Sequence, residues 1–256
     1  MKKIIILLLF VISGLYSQEV KQDTKKEESK VGFIQEHRPF FIAFGDNKMN
    51  TVLQFSMKYE LIKNTNVFLG YTQFSVWELW RSSSPFRDHN FNPELFWTFV
   101  NLKDKYDFTA SVGPFEHKSN GRDGDADRTY DSSYVEFEKG LTISKVRFGF
   151  NNKLYVLYNM AGNTAIREYM GFWKTGLTID FDVPYLDKEQ LYVNLIPGLE
   201  SNLSKSTLEA GAKFRTIFGQ DFAPYILVQY WRGYLGSLLD YNAFAEGVRV
   251  GIIIYR

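Results

Sequence analysis

The 256-residue sequence predicts an all-β fold: a transmembrane antiparallel β-barrel of about twelve strands, preceded by a cleaved signal peptide. Two observations carry most of that expectation. The N-terminus has the three-part grammar of an export leader. The remainder alternates apolar and polar residues with a period near two, in segments of about ten residues. A third observation is compositional. Aromatics make up 17% of the chain, a load that suits a wall whose strand ends sit at a membrane surface.

The leader opens on Met1-Lys2-Lys3 and continues as an apolar run from Ile4 to Tyr16, broken only by Ser13 and Gly14. That run is shorter than the ~20 residues of a spanning helix, so residues 1–17 read as a signal peptide cut between Ser17 and Gln18. Residues 18–35 are polar and carry both charges, too little apolar surface to order on their own, and read as a flexible lead-in. Residues 36–256 contain no further linker or repeat and read as one barrel domain.

Strand segments are predicted to begin near Arg38, Thr51, Asn66, Asn92, Lys105, Asp131, Val146, Glu168, Glu189, Thr207, Ala223 and Gly247. In the last, Val248, Val250, Ile252 and Ile254 share one face while Gly247, Arg249 and Gly251 share the other. Tyr134 to Ile143 behaves the same way, with Val135, Phe137, Leu141 and Ile143 opposed by Glu136, Glu138 and Thr142. Short polar turns such as Leu102 to Lys105 alternate with longer loops at Arg81 to Phe91, Glu116 to Tyr130, Met160 to Arg167 and Gly233 to Tyr241. Membrane barrels divide their two rims in this manner. The soluble alternative, a secreted lipid-binding barrel or sandwich, has the same period but turns its apolar face inward.

Charge and cysteine content remove several functions. Lys and Arg number 30 against 29 Asp and Glu, so no basic surface is available to drive nucleic-acid binding. The absence of cysteine excludes a disulfide scaffold, a thiolate metal site and a cysteine nucleophile.

The most polar long loop, from Gly113 to Asp131, holds the candidate chemistry. His117 and Ser119 are two apart, which on a strand puts both side chains on one face. A base beside a hydroxyl is the minimum for a serine nucleophile, and Asp131 lies within a hairpin's reach as the third group that orients the imidazole. Asp123, Asp125 and Asp127 recur every second residue like the start of an EF-hand. That match fails at the sixth position, where Arg128 replaces the required Gly, and at the twelfth, where Tyr134 replaces Glu. Clustered carboxylates still suit a hard cation. No Gly-x-Ser-x-Gly elbow is present.

These residues, His117-x-Ser119-Asn120-Gly121-Arg122 followed by Arg128-x-x-Asp131, resemble the active-site segment of the outer membrane phospholipase A family. Supporting motifs run in order along the chain: Tyr71-Thr72-Gln73, Ser83-Ser84-Pro85-Phe86-Arg87, Asn90-Phe91-Asn92-Pro93, Tyr169-Met170-Gly171 and Ser237-Leu238-Leu239-Asp240-Tyr241-Asn242. The resemblance covers His37 to the C-terminus. It implies a bacterial outer-membrane barrel that hydrolyses acyl esters of phospholipids and lysophospholipids as a calcium-bound reversible homodimer. Ser119 would be nucleophile and His117 general base. The Asn120 and Gly121 amides would help form the oxyanion site. Calcium would be held by the Arg122 carbonyl, Asp127 and Ser83 of the partner subunit, and Gln73 would face the dimer interface. The family has Asn at the position of Asp131 and a serine at that of Asp127, so Asp131 is expected either to orient His117 or to bind calcium. The competing expectation is a barrel that has kept the fold but serves as a pore or adhesin.

Overall fold

The computed structural model describes residues 34–160, 163–183, 186–215 and 224–254. The expected signal peptide and almost all of the lead-in lie outside the described residues. The two-residue β1 (Gln35–Glu36) is followed by β2 (Phe40–Phe44), β3 (Thr51–Ile62), β4 (Val67–Trp77) and β5 (Phe86–Asn101). A short α1 (Lys103–Tyr106) leads into β6 (Phe108–Ser119), β7 (Thr129–Ile143) and β8 (Val146–Tyr158). After α2 (Ile166–Met170) come β9 (Trp173–Val183), β10 (Leu186–Ile196), β11 (Thr207–Arg215), β12 (Tyr225–Gly233) and β13 (Ala245–Ile254). From β2 to β13 each strand pairs antiparallel with the next. The register Val250↔Phe44 to Ile254↔Phe40 then joins β13 to β2 and closes a twelve-stranded ring. The short β1 lies against β3 through Gln35↔Lys58.

Facing directions decide between the membrane barrel and its soluble alternative. On β13, Val248, Val250 and Ile252 are about half exposed while Arg249 and Ile253 are buried; on β7, Leu141 and Ile143 are exposed. The apolar alternation therefore points out of the barrel, which is stable only against lipid. The lumen holds what the outer face excludes. Glu94 is buried there, with His37 Nε2 at 2.7 Å and Arg38 Nη2 at 2.9 Å, and it accepts a hydrogen bond from the Tyr134 hydroxyl at 2.5 Å. Glu116 takes Lys153 at 2.7 Å and the Ser132 hydroxyl at 2.9 Å. Buried carboxylates need such partners because an unpaired one is strongly disfavoured.

The lumen is filled rather than open. Two cavities, of about 580 and 770 Å³, are both lined by Arg38 and Pro39, the segment that enters the barrel between β1 and β2. Toward the long-loop rim an apolar cluster of Tyr130, Tyr155, Leu157, Ile166, Leu238 and Tyr241 packs inside. Arg87, Asp88 and Asn90 of β5 tie the last long loop down. Arg87 forks onto Asp240 at 2.5 and 2.7 Å, and Asp88 and Asn90 accept the Leu239 and Leu238 amides at 2.9 and 3.1 Å.

Most strand starts fall within two or three residues of expectation, and two do not. The fourth segment, expected near Asn92 after a loop to Phe91, already runs as strand from Phe86. Its inward residues Asp88, Asn90 and Asn92 are polar, and its outward residues mix aromatics with His89, so the aliphatic alternation that marks the other strands is missing. The eighth, expected near Glu168, begins at Trp173, because Ile166–Met170 forms α2 and buries Ile166.

Candidate active site

The register of β5, β6 and β7 assembles the site on the outer wall at the long-loop rim. His117 pairs with Asp131 across β6 and β7, and Ser119 pairs with Thr129 on one side and with Phe91 of β5 on the other. Directly paired residues of an antiparallel ladder share a face, as do residues two apart. His117, Ser119 and Asp131 therefore share the outward face, the face of the half-exposed Phe115, whose ring stacks on His117 at 6.4 Å with an interplanar angle of 9°.

His117 Nδ1 lies 2.7 Å from Asp131 Oδ1. A carboxylate only accepts, so Nδ1 carries the proton and the free Nε2 presents a lone pair. The other carboxylate oxygen, Oδ2, accepts from Asn159 Nδ2 at 2.6 Å. Both oxygens of this buried side chain are thus engaged by protein donors, one of them the imidazole. The Ser119 hydroxyl has no protein hydrogen bond among the described residues and is free to turn.

The loop 120–128 is folded around Asn120. Its amide group donates to the Ala126 carbonyl at 2.9 Å, and its Oδ1 accepts from the amides of Arg122 and Arg128 at 3.3 and 3.0 Å. Its own N–H donates to the Arg128 carbonyl at 3.0 Å. The Asn120 N–H, expected at the oxyanion site, is thus engaged by the Arg128 carbonyl within the loop. Gly121 follows at φ +63°, a conformation natural to glycine, and a Cβ there would press to 3.0 Å from the Phe91 ring. The Gly121 N–H makes no backbone bond in the loop and stays available beside Ser119.

Arg122, whose side chain the resemblance leaves without a role, pins the loop. Its guanidinium donates to the Arg87 carbonyl and lies 3.6 Å from the fully buried carboxylate of Asp88. Asp127 ends a 3₁₀ turn over Gly124–Ala126, and its carboxylate has no protein partner among the described residues. Ser83 sits exposed with φ +65° in a tight turn. That turn is braced by Trp77 Nε1 donating to the Ser84 carbonyl at 2.8 Å and by the Ser84 hydroxyl donating to the Leu79 carbonyl at 2.8 Å. No group of three or more carboxylate, histidine or cysteine side chains gathers for a metal among the described residues. The oxygen set of Asp127, the Arg122 carbonyl and the exposed Ser83 hydroxyl is nonetheless the hard-donor chemistry that calcium takes, shared between two surfaces.

Gln73, expected at a dimer interface rather than in the lumen, is on β4 in register with Phe91 and so faces outward, with Phe91 between it and Ser119. It accepts from the Tyr71 hydroxyl at 3.1 Å and donates to Ser75 at 3.4 Å, and Ser75 bonds His89 at 2.9 Å. Trp77, Phe86, His89 and Phe91 form an aromatic ridge beside this polar ladder, with successive ring centroids 5.3, 4.8 and 6.3 Å apart.

Comparison with known proteins agrees with the geometry. The Phospholipase A1 family model matches residues 2–254. The chain belongs to the phospholipase A1 family. Phospholipase A1 of Proteus vulgaris is 26% identical over 219 residues, 81% of this chain and 70% of the relative. Phospholipase A1 of Escherichia coli (strain K12) is 28% identical over 216 residues, 78% and 68% of the two chains. Two solved structures share the fold at 22% identity. Outer membrane phospholipase A from Escherichia coli superposes with a TM-score of 0.66, covering 91% of this chain and 95% of that one. The Salmonella typhi outer membrane phospholipase dimer with bound calcium gives 0.68, covering 93% and 94%. As a phospholipase A1 family member on a closed membrane barrel, the chain is an ester hydrolase of the outer membrane.

Sequence reasoning missed Asn159, the Arg122–Asp88 pair and the packing of Phe115 on His117. A lone Asn after a strand and an aromatic two residues before a histidine carry no pattern above background. Only the register brings them to the site.

Proposed function

We propose that this chain is a calcium-dependent serine hydrolase that cleaves acyl esters of phospholipids and lysophospholipids, of phospholipase A1/A2 type, as a reversible homodimer. The observation that carries the reading is the outward row of Ser119, His117 and Asp131, with Asp131 bonded to the imidazole at 2.7 Å. His117 Nε2 accepts the Ser119 proton as Oγ attacks the ester carbonyl, and Asp131 holds the resulting imidazolium. The same Nε2–H then protonates the leaving alkoxide, freeing the lysolipid and leaving the acyl group on Ser119. Water, deprotonated by His117, releases the fatty acid. The Gly121 N–H, without a backbone hydrogen bond in its loop, would help stabilise the oxyanion.

Asp127, the Arg122 carbonyl and Ser83 of the partner subunit would hold calcium, which supplies Lewis-acid stabilisation of negative charge on the carbonyl oxygen. Ser83 is exposed on its braced turn, where a second copy can reach it, which supports a ligand set completed across a dimer. Gln73 supports the same arrangement, because an outward amide in a lipid-facing wall is disfavoured until a partner meets it.

The test is fatty-acid release from phospholipid by refolded protein in detergent, with calcium or EDTA, beside Ser119→Ala. Calcium-dependent release that disappears in the variant is expected. Release that survives Ser119→Ala refutes the assignment.

A further inference from the structure

The carboxylate of Asp131 is buried at the lipid-facing wall, and a charge in that setting holds its position only if both oxygens are satisfied. His117 satisfies one. The other is satisfied by Asn159, the first residue beyond β8, and the backbone shows how. Tyr158 is the register partner of Asp131, and its hydroxyl lies 3.3 Å from that of the neighbouring outward residue Ser133. Regular alternation would send the next side chain to the opposite face. Instead Asn159 has φ +49°, in the left-handed region that asparagine tolerates better than other side-chain-bearing residues. Its amide reaches Asp131 Oδ2 at 2.6 Å. The protein departs from strand geometry at the one step that places a donor there.

We infer that Asn159 is a positioning residue of the hydrolase: its amide fixes the rotation of the Asp131 carboxylate so that Oδ1 faces His117 Nδ1. An amide suits the task because it donates without titrating. No other ionisable side chain among the described residues is bonded to Asp131; its bonded neighbours are His117 and Asn159 alone. The inference rests on the reading of Ser119, His117 and Asp131 as the hydrolytic site.

Two variants separate this role from a merely structural one. Asn159→Gly keeps the left-handed backbone and removes the amide. Loss of a hydrogen bond to a charged group is expected to lower kcat on the order of tenfold, with KM little changed. Asn159→Asp keeps the shape and sets a second carboxyl against Asp131. While the introduced carboxyl is protonated it still donates, so the deficit relative to the parent is smallest at the low-pH end of the profile. As it ionises the two carboxylates repel, and kcat gains a descending limb toward high pH that the parent lacks. Phospholipid hydrolysis in detergent across pH, with heat-modifiable gel migration to show that each variant folds, reads both effects. Parent-like kcat and pH profile in both variants, with Ser119→Ala inactive, overturns the role of Asn159 alone. Activity that survives Ser119→Ala overturns the site reading and this inference with it.

Discussion

Truncating Arg122 to alanine should weaken the response to calcium without unfolding the barrel. The guanidinium lies 3.6 Å from Asp88 Oδ1, and this oxygen is buried with no hydrogen bond of its own. Coulomb's law at an effective dielectric near 20 puts the attraction at about 4–5 kcal/mol. The Arg122 side chain is 40% exposed, so solvent takes back most of this and roughly 1–2 kcal/mol remains. Removing the arginine also releases the Arg87 carbonyl and frees the loop that carries Asp127. A loss of that size corresponds to about 5–30-fold in the population of the ordered loop. The calcium midpoint of hydrolysis should rise by the same factor, with heat-modifiable migration unchanged. Adding Asp88→Asn to Arg122→Ala removes the stranded charge and should recover part of the loss. A midpoint within twofold of the parent in Arg122→Ala, or no recovery in the double variant, would refute the reasoning.

Three further outcomes follow from the same structure. Gly113→Ala drives a methyl group into the Tyr134 ring, 2.6 Å from Cδ1, and displaces the hydroxyl that serves Glu94; urea unfolding in detergent should show a loss of about 2–4 kcal/mol that nearly vanishes in a Tyr134→Ala background. Asp127→Ser replaces a charged calcium donor with a neutral one, so calcium titration of activity should move to higher concentration, and tighter binding by the variant would contradict the ligand assignment. Asp107, capping α1 at the short-turn rim, is held below the ordinary aspartate value of 3.8 by its hydrogen bond from Arg147. Because its folded value is depressed, its stabilisation is full above that ordinary value and fades as pH falls through the lower folded one. The stability gap between parent and Asp107→Asn should therefore close in that acidic window, and a gap constant with pH would overturn the attribution.

The sequence made the barrel legible wherever one face was clearly apolar. Val248, Val250 and Ile252 announced both the strand and the side it shows to lipid. Legibility failed where that contrast failed: Phe86 to Phe91 alternates aromatics with Asp88 and Asn90, and a polar inward face reads as a loop unless the lumen is known to be polar. The site divides in the same way. His117 and Ser119 are two apart in sequence, so strand periodicity alone puts them together. Asp131 could be placed near them but not given a duty, because choosing between imidazole and cation depends on which donors reach its two oxygens. Asn159, 28 residues further on, supplies the second of those donors from a left-handed backbone.

Arg38 and Glu94 pair inside the barrel, and Ser119 lies on its outside wall. On the proposed reading, the working surface of the protein is the plane of the membrane and not a compartment within it. A phospholipid substrate would then reach Ser119 by lateral diffusion, and its effective concentration would be a mole fraction among neighbouring lipids. Dilution of phospholipid by inert detergent at constant total amount should slow the reaction even when every bulk concentration is unchanged. Two copies confined to that plane also meet far more often than they would in solution, so the proposed homodimer would need only a weak contact between outward faces.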